Sequence, residues 1–275
     1  MRELPPVNVA LLADALVGFL GEELRASGLT RFVVGLSGGV DSAVSLALGA
    51  RAIGSERLVA LALPGPTSSQ ESFDHAALVA EVYGIRLDRV DLSMAAEALA
   101  DSLGCRADRL RFGNLMARLR MTTLFDRARA ENALVLGTSN KSEILLGYST
   151  LFGDAAASLQ PLGDVWKTHI FELAGHLGVP VVVVTKPPTA DLWPGQTDAG
   201  ELGFDYLAAD PVLFAHHEGG LDREALIAAG FAPTLVDAVL AAYRRNRFKW
   251  RPTVVARVSS SCINIDRILP RNPER

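Results

Sequence analysis

The sequence predicts an α/β protein: a single doubly wound domain over residues 1–275, built on a mostly parallel five-stranded sheet. Two observations carry this. Short apolar runs alternate with longer stretches whose apolar residues recur every three or four positions, the pattern of parallel strands joined by crossover helices. The composition, 49% hydrophobic and 21% charged, is that of a chain able to bury a sizeable core.

The elements follow in order. Val9, Leu12, Leu16, Phe19, Leu20 and Leu24 share a helical face that stops at Gly28. Residues 32–36 read as a strand, 37–42 as a tight loop, and the Ala- and Leu-rich stretch up to Gly54 as a helix. A second strand is expected at 58–63, followed by a loop at 64–69, with Ser68 and Glu71 spaced as a capping box. A third strand is expected at 85–90. Helical spacing of Leu110, Leu115, Leu119, Leu124 and Ala128 marks 108–131, and 133–136 is the fourth strand. Beyond it come a helix at 164–177, a fifth strand at 181–185, and a Pro-, Gly- and Thr-dense loop at 186–200 that is long enough to be a lid. The rest is mostly helical, notably 234–245, and closes with a Val-rich run at 253–258.

Charge and composition remove several functional classes. A net charge of −4 and a pI near 5.8 disfavour a polyanionic partner, so no nucleic acid is expected. Cys105 and Cys262 lack metal-site spacing and read as free thiols of a reducing compartment. The N-terminus has no signal-peptide core, and the densest apolar run, 181–184, is far short of the ~20 residues of a bilayer span. The expected location is the cytoplasm, away from membranes.

The loop after the first strand carries the chemistry. A parallel sheet binds ligands beyond the carboxyl ends of its strands, and a loop opening a helix presents unpaired amides to an anion. Gly35, Leu36, Ser37, Gly38, Gly39, Val40, Asp41 and Ser42 form that loop and its flanks. Gly38 and Gly39 let the backbone approach a pyrophosphate, Ser37 and Ser42 add hydroxyls, and Asp41 suits magnesium. An ordinary glycine-rich turn is the alternative, but such a turn has no need of an aspartate among serines. Neither G-x-x-x-x-G-K-[ST] nor G-x-G-x-x-G occurs in the chain.

With SGGVDS after its first strand, the chain resembles the N-type ATP pyrophosphatases, which have the adenine nucleotide alpha hydrolase-like fold. Four further stretches, 113–121, 137–143, 161–168 and 186–197, resemble the ammonia-dependent NAD synthetases in the same order. That resemblance implies ATP-dependent amidation of deamido-NAD through an acyl adenylate, giving NAD, AMP and pyrophosphate. It implies Asp41 and Glu143 as magnesium carboxylates, and Thr138, Lys167 and Thr189 as ATP contacts. Lys167 would stabilise the departing charge with Lys186 as its helper, so Asp41, Glu143 and Lys167 are the expected catalytic set. Arg118, Phe248 and Lys249 fall where deamido-NAD is contacted, although residues 247–251 also read as a solvated basic helix end. Leu151 and Ser158 stand where many relatives carry a Lys and an Asp, so those contacts are not carried over.

The 36 residues ahead of Ser37 are too few for the amidohydrolase domain of glutamine-using relatives, so the expected nitrogen source is free ammonia or a separate subunit. The resemblance also implies a homodimer, with the N-terminal helix either contributing to it or covering the chain's own core. Two rivals remain: a tRNA-modifying or GMP-synthesising relative, and a nucleotide binder without turnover.

Overall fold

The computed structural model describes residues 3–189, 191–193, 195–250, 256 and 258. Asn8 caps Val9–Ser27 (α1), and Gly28, with φ 70°, ends it in the left-handed region that glycine occupies without a Cβ penalty. Then follow Arg31–Gly35 (β1), Val40–Ile53 (α2), Leu58–Ala62 (β2), Gln70–Val82 (α3), Leu87–Arg89 (β3), Ser93–Ser102 (α4), Arg109–Ala130 (α5) and Ala133–Leu136 (β4). Beyond the sheet lie Lys141–Leu146 (α6), Lys167–Leu177 (α7), Val181–Val184 (α8), Asp198–Leu202 (α9), Tyr206–His217 (α10), Arg223–Ala228 (α11) and Pro233–Arg245 (α12).

The strands are parallel and run β3-β2-β1-β4, with Phe32 in register with Leu58 on one side and Leu134 on the other. Strand alternation divides their side chains between two layers. Phe32, Val34, Leu58, Ala60 and Leu136 pack with α1, α2, α3 and α7, whereas Val33, Val59, Leu61 and Val135 pack with α4 and α5. A separate helical cluster joins α6 to α10, α11 and α12 around Leu146, Leu213, Leu226 and Val239. The chain steps outward from β1 to β3 and then crosses back to place β4 beside β1. Strand order therefore reverses between β1 and β4, where such sheets open a crevice.

Four expectations need correction. The sheet has four strands among the described residues, not five: residues 181–184 form α8. Their valines favour a strand intrinsically, but only Val183 is buried, while Val181 is 75% exposed. A strand covered on both faces has no place for that pattern, and the amides of Val183 and Val184 bond back to the Pro180 carbonyl. The cap of α3 is Ser69, which accepts from the Ser72 amide, while the Ser68 hydroxyl turns inward to the Gly65 amide. The third strand begins at Leu87, and the helix expected from residue 164 begins at Lys167. The α1 stripe packs on the chain's own core, one of its two expected roles, with Ala13, Leu20 and Leu24 buried against α2 and α7.

Among the described residues, no helix is long and apolar enough to cross a membrane. Cys105 is buried and free. Cys262, Arg251 and most of the 253–258 run lie outside the described residues.

Candidate active site

The loop leaving β1 is held by its own serines. Ser42 Oγ donates to the Gly39 carbonyl (2.9 Å) and accepts from the Ser37 amide (3.2 Å), so the Ser37 hydroxyl must donate in their 3.1 Å contact. Gly38 has φ 78°, and a Cβ there would lie 2.1 Å from the Ser72 carbonyl oxygen. Both conformation and space exclude any other residue. Gly39 caps α2 without a side-chain hydrogen bond, so the first-turn amides of α2 are left for a ligand. Gly35, Leu36, Ser37, Gly39, Val40, Asp41 and Ser42 all line one cleft.

Asp41, in that first turn, meets residues from beyond β4. Asn140 caps α6 in a capping box: its Oδ1 accepts from the Glu143 amide (2.9 Å), and Glu143 Oε2 accepts from the Asn140 amide (3.3 Å). The Asn140 amide group then donates to Asp41 Oδ1 at 2.9 Å. Lys167, the first residue of α7 and 2% exposed, donates to Asp41 Oδ2 and reaches Glu143 Oε1 at 3.5 Å. One ammonium thus lies between two carboxylates delivered by the ends of β1 and β4.

The supporting contacts explain why these groups stay in place. The Lys167 amide donates to Ser142 Oγ (2.9 Å), next to Glu143, and the Thr168 amide and hydroxyl both donate to Asp210 Oδ2 (2.9 and 2.8 Å). Trp166 offers α7 no side-chain cap, so α6 and α10 supply it. Asp198 is also buried in the cleft; Tyr206 donates to its Oδ2 at 3.0 Å, while its Oδ1 has no hydrogen-bond partner among the described residues.

Three carboxylates around one lysine leave negative charge uncompensated. The Glu143 carboxyl is pushed up to about 8, first by burial and then by Asp41 beside it, with Lys167 pulling the other way. Burial also raises Asp198. Burial works against the Lys167 charge, but Asp41 and Glu143 outweigh it and hold the ammonium above its usual range. The donors are all oxygens, the kind hard divalent cations take. Among the described residues no three His, Cys, Asp or Glu side chains form a metal cage by themselves, so a cation here would complete its shell with oxygens from water or a ligand.

Thr138, Lys167 and Thr189 line the same cleft. So do Lys186, Pro187, Pro188, Asp191 and Leu192 of the 186–197 stretch, tied down by Thr67 Oγ1 to the Leu192 carbonyl (2.9 Å) and the Ser69 amide to Asp191 (3.3 Å). Arg118 is exposed on α5 and donates to the Leu151 carbonyl at 3.3 Å, while its neighbour Arg120 turns into the cleft. Phe248 is 66% exposed, and the Lys249 ammonium donates to the Gly147 and Ser149 carbonyls, both at 2.7 Å. The structure therefore does not bring Arg118, Phe248 and Lys249 together with the β1 loop. Ser158 is bonded to β4 through the Val135 amide (3.1 Å).

Sequence reasoning passed over Asn140 as a link between the carboxylates, and also Asp198, Tyr206 and Asp210. Asp198 had a readable signal, being an acidic residue after Thr197 at a helix start. Asp210 and Tyr206 had none, since each lies in an ordinary helical pattern and meets the site only through folding.

The NAD synthase family model matches residues 12–253. The chain is 44% identical over 259 residues to the NH(3)-dependent NAD(+) synthetase of Chlorobaculum tepidum, covering 94% of this chain and 93% of that one. To its counterpart from Wolinella succinogenes it is 47% identical over 251 residues, 91% and 97% of the two chains. The solved NH3-dependent NAD synthetase of Campylobacter jejuni, in complex with nitrate, matches with TM-score 0.78 at 27% identity, covering 92% of this chain and 100% of that one. The NMN synthetase of Francisella tularensis matches with TM-score 0.79 at 30% identity, covering 91% and 99%. With a family model spanning residues 12–253 and relatives at 44% and 47% identity, the chain belongs to the NAD synthase family.

Proposed function

We propose that the chain is a ligase that amidates deamido-NAD with ammonia, at the expense of ATP, in the last step of NAD biosynthesis. The observation that carries this is the Asp41–Lys167–Glu143 cluster beside an uncapped glycine-serine loop, at the switch point of a NAD synthase-family sheet. A carboxylate oxygen of deamido-NAD bonds to the α-phosphorus of ATP while the bond from that phosphorus to the bridging oxygen breaks, and the electron pair leaves on pyrophosphate. Ammonia then bonds to the acyl carbon, AMP departs with the carboxylate-derived oxygen, and nitrogen loses a proton to solvent.

In this reading the amides at the start of α2 and the Ser37 and Ser42 hydroxyls hold the phosphates. Gly35, Leu36, Gly38, Gly39 and Val40 shape the cradle, and Thr138 and Thr189 contact ATP. Asp41 and Glu143 would hold magnesium, a fit supported by their oxygen donors and by the surplus negative charge that raises Glu143. Magnesium, when bound, offsets charge developing on the phosphate oxygens. Lys167 fixes the spacing of the two carboxylates and, once the cation engages them, contacts ATP and offsets the charge of the departing pyrophosphate. Arg118, Phe248 and Lys249 belong to the dinucleotide end, and the 186–197 stretch excludes water from the adenylate.

We also read residues 1–275 as one domain, working in the cytoplasm as a homodimer without nucleic acid or membrane.

The test is NAD and AMP formation from ATP, magnesium and deamido-NAD, with ammonium or glutamine supplied separately and the corresponding mononucleotide as a competing acceptor. NAD formed with ammonium alone is the expected result. Amidation of the mononucleotide in preference would instead align the chain with the Francisella enzyme, and no AMP from either acceptor would remove the ligase reading.

A further inference from the structure

The carboxyl ends of α6 and α12 meet, and each end carries carbonyls that its own helix cannot bond. Gly147 ends α6 with φ 61°, and a Cβ there would lie 2.2 Å from Asn246 Cβ, so the turn sits directly on the residue that caps α12. Asn246 Nδ2 donates to the Leu146 carbonyl, the last of α6, at 2.8 Å. The Asn246 carbonyl accepts from the Lys249 amide at 2.9 Å, which coils the chain so that the Lys249 ammonium reaches the carbonyls of Gly147 and Ser149. Trp250 completes the bracket, its ring centre 4.7 Å from that of Tyr243 in α12 and 6.0 Å from that of His217 at the end of α10. The turn held in this way reaches the site: Tyr148 lines the cleft, its amide donates to the Glu143 carbonyl (2.9 Å), and its hydroxyl donates to Glu201 Oε2 (2.6 Å). Asn246 itself is not among the residues lining the cleft. One amide side chain therefore joins the segment bearing Phe248 and Lys249 to the turn bearing Tyr148.

We propose that Asn246 is a positioning residue for the acceptor: by clamping the end of α6 to the end of α12 it sets the register between the 147–149 turn and the 246–250 segment. This rests on the deamido-NAD reading above. Asn246 acts through Tyr148, Phe248 and Lys249 and touches no substrate itself. An amide suits the position, because its nitrogen donates to a helix-end carbonyl without adding charge, and a short side chain is needed where the two backbones approach this closely. The β1 loop and the start of α7 are held by other contacts, so the register set by Asn246 governs the acceptor end and leaves the ATP end alone.

The experiment compares wild type with Asn246→Asp, Asn246→Ala and Asn246→Gln, reading KM for deamido-NAD, KM for ATP and the melting temperature, with rates taken well below the melting point of every variant. Asn246→Asp keeps the shape but loses the donor and turns an oxygen toward the Leu146 carbonyl. It should raise KM for deamido-NAD about tenfold, as should Asn246→Ala, while KM for ATP stays within about twofold of wild type. Asn246→Gln keeps an amide donor and should recover most of the loss. Unchanged KM for deamido-NAD in both Asn246→Asp and Asn246→Ala overturns the proposal. So does a parallel rise in both Michaelis constants that Asn246→Gln does not relieve, which would mark a purely structural role. A wild type that does not turn over deamido-NAD would instead count against the reading of the acceptor itself.

Discussion

At the ends of β1 and β4 each charged side chain meets another: Asp41 with Lys167 and Asn140, Glu143 with Lys167 and its own helix cap. Across the cleft and toward its rim the pattern changes. Among the described residues Lys186 and Arg120 make hydrogen bonds only to hydroxyls and a carbonyl, and Arg118 is exposed with one long bond to a carbonyl. The first region is cross-linked by groups from three separate elements, so its geometry is set before any ligand arrives. Among the described residues the second holds cations with no carboxylate within ion-pair distance, so its electrostatics are open to an anionic substrate. Substitutions in the first should affect chemistry, and folding too where a charge is left unpaired, whereas those in the second should affect binding alone.

The sharpest break of this contrast is Asp41→Ala, expected to lower NAD formation about a thousandfold, because metal-assisted charge stabilisation contributes several kcal/mol in the transition state. Glu143→Gln should lose activity comparably yet keep the fold to within about 1 kcal/mol, since glutamine can still close the capping box. Steady-state rates with circular dichroism read both.

Lys167→Met leaves two half-buried carboxyl groups facing each other without their shared cation, and chemical denaturation should show a loss of about 3 kcal/mol. No comparable loss should follow Lys186→Met. Equal stability losses at the two lysines would erase the distinction between the regions.

A pH dependence follows from Glu143. Its carboxyl keeps a proton up to about 8 in the fold, against an ordinary value of 4.5, so without a cation the native state binds the extra proton between those values. Cation-free stability should therefore fall as pH rises through that window, and magnesium affinity should rise, with proton release on binding. Calorimetry in buffers of different ionisation enthalpy reads the proton count.

The smallest expected effect is at Arg118. Its alanine variant should leave stability within about 0.5 kcal/mol and KM for ATP unchanged, while KM for deamido-NAD rises about tenfold. A rise in the ATP constant instead would move Arg118 to the nucleotide end.

Much of the first region was legible in the sequence because it is built from local signals. SGGVDS follows a strand run and opens a helix, and Asn140 and Glu143 have capping-box spacing. What the sequence did not disclose is convergence. Nothing local says that the Asn140 side chain bridges to Asp41 across 99 positions, or that Asp210 caps the helix carrying Lys167. The valines of 181–184 misled for the same reason: β-propensity is a statement about fitting a covered pleated surface, and this run has only one buried side chain. The rim residues were named from resemblance, and the structure shows Lys249 bonded to the 147–149 turn, where it ties the C-terminal segment to the loop after α6.

The most direct test of the account follows the carboxylate oxygens. Deamido-NAD carrying heavy oxygen in both positions of its nicotinate carboxylate is turned over with ATP, magnesium and ammonium, and the products are weighed by mass spectrometry. Adenylation at the β1–β4 crevice predicts one heavy oxygen in AMP, one retained in the amide of NAD, and none in pyrophosphate. Heavy oxygen in a phosphate or pyrophosphate product, or AMP without label, would contradict it.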